Sequence, residues 1–112
     1  MNFYKIGDDI VISEGELTQG DKIVPNTTDA AGEKHVPVIS QDGARVTVKV
    51  GSVEHPMLPA HWIQWIVLQT KTGYQKKKLT PEDKPEATFT VSEDVLAAYE
   101  FCNLHGLWKS EL

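Results

Sequence analysis

Turn-forming residues recur about every ten positions along this chain, and the runs between them are short and rich in β-branched and aromatic residues. That rhythm predicts an all-β protein, an immunoglobulin-like sandwich of roughly seven strands. The clearest local signal is a hairpin. Glu33-Lys34-His35-Val36-Pro37-Val38-Ile39 starts charged and becomes a β-branched run, and Gln41-Asp42-Gly43 ends it. From Arg45 to Val50 the chain then alternates, with Val46, Val48 and Val50 on one face. Asp-Gly between two such runs is a hairpin turn.

Downstream, 51–61 is a loop stiffened by Pro56 and Pro59, which disfavour helix at the residues before them. The run from Trp62 to Thr70 is apolar on both faces, as a central strand is. Lys71-Thr72-Gly73 turns the chain into Tyr74–Leu79, whose Lys76, Lys77 and Lys78 read as a solvated edge that resists sheet-to-sheet pairing. From Glu86 to Val91 the pattern alternates again. Over Val95–Phe101 two readings compete: propensity favours a helix capped by Ser92, whereas the surrounding strands favour a last strand ending at Cys102. The strand is preferred, because tertiary context overrides propensity. Residues 1–24 carry weaker patterning and read as an N-terminal arm or small hairpin, with Asp9–Ser13 a short strand. Residues 25–112 form the domain proper.

Composition removes whole classes of function. The chain has 112 residues, enough for one domain with its own core. A net charge of −5 lacks the clustered cations that nucleic acid requires. No run reaches the roughly 18 apolar residues of a membrane span, and the first residues lack the regions of a secretory signal. A cytoplasmic location follows, in keeping with a single cysteine and hence no internal disulfide.

That cysteine opens the most informative stretch, Cys102-Asn103-Leu104-His105-Gly106-Leu107-Trp108. A thiolate and an imidazole at this spacing can reach one metal ion from a tight turn. The other three histidines, His35, His55 and His61, lie far upstream, so the fold must close to bring them to the same point. All five stand in loops or at strand mouths beside Pro or Gly and not on alternating core faces. Taken singly, each is an ordinary surface or core residue. A Cys–His nucleophile leaves three histidines without a role. Structural zinc takes four donors, one fewer than are present. A copper or iron electron carrier on a β-sandwich uses a late Cys and His, but no Met or Gln follows His105 as a weak axial ligand, and only Met57 stands in reserve. Five donors suit iron with one position left for a small ligand.

The blocks Glu33–Pro37, His55-Pro56-Met57 with His61–Trp65, and Cys102–Trp108 resemble the signature blocks of the superoxide reductases, the family of neelaredoxins and of the C-terminal domain of desulfoferrodoxin. The resemblance covers about residues 25 to 110. It implies a mononuclear non-haem iron with His35, His55, His61 and His105 equatorial and Cys102 axial. The first three would bind through Nε2 and His105 through Nδ1. It implies one-electron reduction of superoxide to hydrogen peroxide and re-reduction by a rubredoxin-like protein. Within it, Lys34 would attract superoxide and order a proton-delivering water, and Glu33 would take the sixth position of ferric iron. Without the neighbouring His35, either residue reads as an ordinary surface charge. Two-iron members carry a further four-cysteine centre in an N-terminal domain; with one cysteine this chain cannot build it, so residues 1–24 resemble a shortened or degenerate form of that domain. The family forms dimers and tetramers, and the segment from Val24 onward favours a dimer.

Overall fold

The computed structural model describes residues 1–27 and 34–112. Among these residues ten strands form: β1 (Asn2–Ile6), β2 (Asp9–Ser13), β3 (Asp21–Ile23), β4 (Pro37–Asp42), β5 (Arg45–Val50), β6 (Ile63–Thr70), β7 (Tyr74–Lys78), β8 (Glu86–Thr90), β9 (Val95–Cys102) and β10 (Gly106–Glu111). Among the described residues there is no helix, and so none long and apolar enough to cross a membrane.

Alternation decides the layers. Val46, Val48 and Val50 of β5 face inward from a three-stranded sheet ordered β4-β5-β8. They meet Ile66 and Leu68 of β6 and Ala98 and Cys102 of β9, from a four-stranded sheet ordered β10-β9-β6-β7. All pairings within both sheets are antiparallel. These seven strands are the immunoglobulin-like sandwich, with the core between the sheets.

The opposite parity of the larger sheet, Trp65 and Val67 of β6, Ala97 and Tyr99 of β9 and Leu107 of β10, faces away from that core yet is also buried. The N-terminal residues cover it. They form a third sheet ordered β2-β1-β3, fuller than the arm or hairpin expected, and Phe3 is 1% exposed. Its ring lies 4.8 Å from that of Tyr99 and stacks on Trp65 at 6.0 Å. β6 is therefore apolar on both faces because both are covered. Phe3→Ala is expected to lower stability by about 3–5 kcal/mol, read as a lower urea midpoint; an unchanged midpoint would mean that the N-terminal sheet contributes nothing to the fold.

β9 is a strand, as the neighbouring strands required. It pairs with β6 on one side and β10 on the other, so backbone groups that a helix would have satisfied internally find partners in the sheet. β7 is an outer strand with all five residues exposed. The β4–β5 hairpin forms, but Asp42 pairs with Arg45, which makes Gly43-Ala44 the loop, one residue later than an Asp-Gly centre. Gly43, at φ 59°, supplies the positive dihedral at the first loop position.

One irregularity bears on the site. The register of β6 against β9 shifts between Ile63 and Trp65, so Ile63 and Ile66 both join the inner core although they differ in parity. Such a bulge re-aims the chain at a strand end. Here it lies directly after His61 and beside the Ile63–Cys102 pair.

Candidate metal centre

The two sheets and their loops carry the five donor residues to one end of the sandwich. His35 precedes β4. His55 and His61 lie on the β5–β6 connection, Cys102 ends β9, and His105 occupies the turn into β10. That turn closes through Gly106, at φ 84°, a conformation that glycine adopts without cost. The His55 backbone N–H donates to the Val50 carbonyl at 3.1 Å, which holds the start of the loop against β5. Leu58 and His61 exchange two backbone hydrogen bonds of 2.9 Å, a tight turn that presents His61.

One potential ligand atom from each of the five residues lies within 4.8 Å of all the others. The imidazole rings form a closed cycle: the centroids of His35 and His55 are 5.0 Å apart, His55 and His61 4.7 Å, His61 and His105 4.9 Å, and His105 and His35 4.7 Å. Neighbouring planes stand at 66–82° to one another. Two nitrogens held by one ion at right angles, each at about 2.1 Å, stand ~3.0 Å apart. His35 Nε2 and His105 Nδ1 are 3.0 Å apart, and Cys102 Sγ is 3.8 Å from the same His105 Nδ1.

Atoms that find no protein partner point to the same conclusion. His55 Nδ1 donates to the Pro56 carbonyl at 2.7 Å, which fixes the tautomer and leaves Nε2 with its lone pair. That Nε2, and Nε2 of His61, are buried and accept no hydrogen bond. Buried polar atoms without partners are costly. A cation bound between the rings would satisfy both, so the residues present fit a metal ion.

The charge states agree. Burial first, and the neighbouring histidines after it, push His55 down to about 4, so its ring is neutral near pH 7. His61 is lowered by burial, by His105 and His35, and by the Lys34 ammonium. Burial pushes the Cys102 thiol up, and the charge of fully buried Glu100 adds to this. Backbone N–H groups of Leu104 and His105 donate to the sulfur and oppose that rise. Without a metal the sulfur is held as a thiol, whereas a coordinated thiol is deprotonated.

A pH dependence follows for the metal-free protein. The folded-state value for His55, about 4, lies below its ordinary 6.5, so between the two the unfolded chain takes up the proton more readily. Stability present above 6.5 is therefore lost as pH falls towards 4, and a urea midpoint lower at about pH 5 than at about pH 7 is the expected result. An equal midpoint would show that His55 is not held neutral by the fold.

Three neighbours of the donors escaped the sequence reading. Trp108 stacks on His35 at 4.8 Å and 17°, and its indole N–H donates to the His105 carbonyl at 3.0 Å. Glu100 faces the core two residues before Cys102; alternation along β9 was the signal that would have placed it there. Asn103 bridges the Cys102–His105 turn to the segment around His61; nothing in its identity distinguishes it from any turn asparagine. Lys34 is exposed beside the cluster. Glu33 lies outside the described residues.

A β-sandwich that brings four imidazoles and one cysteine to a single point has the donor set of a metal-binding protein. The Desulfoferrodoxin family profile matches residues 27–111, and this chain belongs to that family. Over 92 residues it is 53% identical to a desulfoferrodoxin of Clostridium acetobutylicum, covering 81% of this chain and 72% of that one. A superoxide reductase of Thermococcus kodakarensis is 36% identical over 104 residues, covering 75% of this chain and 90% of that protein. The crystal structure of the superoxide reductase from Treponema pallidum superposes with a TM-score of 0.77 at 44% identity, covering 94% of this chain and 81% of that one.

Proposed function

We propose that this chain is a superoxide reductase: it holds one iron ion through His35, His55, His61, His105 and Cys102, and catalyses one-electron reduction of superoxide to hydrogen peroxide. The observation that carries this reading is the closed ring of four imidazoles with the sulfur at its side. Four imidazole nitrogens and one thiolate would hold iron and leave room for a small anion, a donor count that exceeds the four of structural zinc. Bound iron would supply the electron.

The chain's own groups supply the rest. The Leu104 and His105 N–H groups, aimed at Cys102 Sγ, limit how much charge the sulfur can release, the kind of tuning that outer groups exert on a metal's ligands. Pro56 and Trp108 hold the rings of His55 and His35 at fixed angles. Superoxide is an anion approaching a protein of net charge −5, so its attraction must be local. Lys34, whose charge reaches His61, is assigned to that task and to ordering the water that delivers protons to the product. Glu33 is assigned as the carboxylate that would close the open side of the site once iron is oxidised. A small rubredoxin-like protein is assigned as the electron donor.

Lys34→Ala is expected to slow the bimolecular reaction with superoxide by about 10-fold at low salt and to flatten its dependence on ionic strength. Pulse radiolysis at several salt concentrations reads both. A rate and salt slope equal to wild type would remove Lys34 from the mechanism. The function as a whole is tested first by metal analysis of anaerobically purified, iron-replete protein and by its visible spectrum. One iron per chain, a thiolate-to-iron band on oxidation and a shift of that band with azide are expected. Stoichiometric zinc or copper with no response to azide would return the site to a structural or electron-carrier reading.

A further inference from the structure

His61 is held in an unusual way. The segment from Leu58 to His61 closes on itself through two backbone hydrogen bonds. Among the described residues its one hydrogen bond to another part of the chain is made by the Ala60 carbonyl, and the donor is Asn103 Nδ2 at 3.0 Å. The same side chain accepts the Trp62 backbone N–H on Oδ1 at 2.9 Å. The Asn103 backbone N–H donates in turn to the Trp62 carbonyl at 3.3 Å. One residue is thus bonded to both chain neighbours of His61, and it sits between Cys102 and His105.

The β6–β9 ladder ends at the Ile63–Cys102 pair, directly after the bulge. Beyond it the chains diverge, and the Asn103 amide continues the pairing with a side chain where the backbone alone makes one long bond. We propose that Asn103 is a positioning residue: it sets the stance of the Cys102–His105 turn against the His61 segment, and thereby how firmly the ion is held and how the sulfur meets it. This rests on the reading of the five residues as metal ligands. Asn103 supplies no donor atom to the ion; it acts through His61, Cys102 and His105, whose ligand atoms must agree within a few tenths of an ångström for one ion to satisfy all three.

The test compares wild type with Asn103→Ala and Asn103→Leu. Leu keeps the branched shape and heavy-atom count of the side chain and loses both of its hydrogen bonds. Each protein is stripped of metal, titrated with cobalt(II), then loaded with iron and oxidised, well below its unfolding midpoint. Wild type must first bind one cobalt ion with a thiolate-to-metal band; failure there removes the metal reading itself, independently of Asn103. Given that control, both variants are expected to bind cobalt about 10- to 100-fold more weakly, the range that outer partners of metal ligands carry. The oxidised iron forms are expected to show a displaced and broadened thiolate band. A side chain that only packs would lower the unfolding midpoint in Ala and be rescued by Leu, with affinity and band unchanged in both, and that result would overturn the proposal. If neither folds, Asn103→Asp, which keeps the acceptor for Trp62 and loses the donor to Ala60, carries the same comparison. Wild-type affinity and band position in that variant would overturn the proposal equally.

Discussion

Cys102→Ser is expected to abolish both the thiolate-to-iron absorption of the oxidised protein and its reaction with superoxide, while leaving the sandwich folded. The sulfur is fully buried on the inner face of β9, beside Ile63, and the fold brings two backbone N–H groups to it. A serine hydroxyl occupies nearly the same space and can accept from the same N–H groups, so metal-free stability changes little. What is lost is electronic. A hydroxyl at this position is a far poorer anion than a thiol, and the electron density that a thiolate would place on bound iron has no substitute among the imidazoles. Visible spectroscopy and stopped-flow decay of superoxide read the two losses together. Retention of the band would place another donor where the structure has Cys102.

His55→Ala is the second large effect. His55 is 2% exposed, its Nδ1–H is fixed to the Pro56 carbonyl, and its Nε2 has no protein acceptor or donor. Removal takes one corner from the imidazole ring and replaces it with a buried gap that no neighbouring side chain supplies with nitrogen. Metal affinity is expected to fall by more than the roughly 100-fold that loss of an outer partner produces. Stability of the metal-free form falls much less, because the substitution also removes an unsatisfied buried atom. Competition with a chelator reads the first and urea unfolding the second. Equal metal affinity in variant and wild type would exclude His55 from the coordination shell.

These results bear on how much of the molecule is written locally. Val46, Val48 and Val50 announce an inner face, and the double-faced apolar run of β6 announces a strand covered on both sides; each reflects side-chain parity, which a sequence displays directly. What covers the second face was not legible. Phe3 and Tyr4 stand in a short run with no long alternation, and only the Gly7-Asp8 pair ahead of Asp9–Ser13 marked a turn that makes them a strand. Parity also misleads at Ile63, where the bulge changes the phase and no residue type signals it. For Val95–Cys102 the helical propensity was real, and it lost to two neighbouring strands that offer the same backbone groups partners in register.

The candidate centre was legible for a different reason. Metal donors are few in kind, and four histidines with one cysteine in a chain of this length leave little choice of set. The order of the rings around the point, His35, His55, His61 and His105, depends on where the loops run and could not be read from the sequence. Nor could the roles of Asn103 and Trp108, which use ordinary turn and aromatic chemistry and acquire meaning only from what lies across the gap.

Reduction of superoxide without its dismutation is decided by the yield of peroxide. Iron-loaded, fully reduced protein is mixed with superoxide in the absence of oxygen, and hydrogen peroxide and oxygen are measured against superoxide consumed. Reduction takes the electron from the protein and two protons from solvent, so each superoxide gives one hydrogen peroxide and no oxygen, with one site oxidised per event. One peroxide and one oxygen for every two superoxide consumed, or no consumption beyond that of the metal-free protein, would show that the protein is not a superoxide reductase.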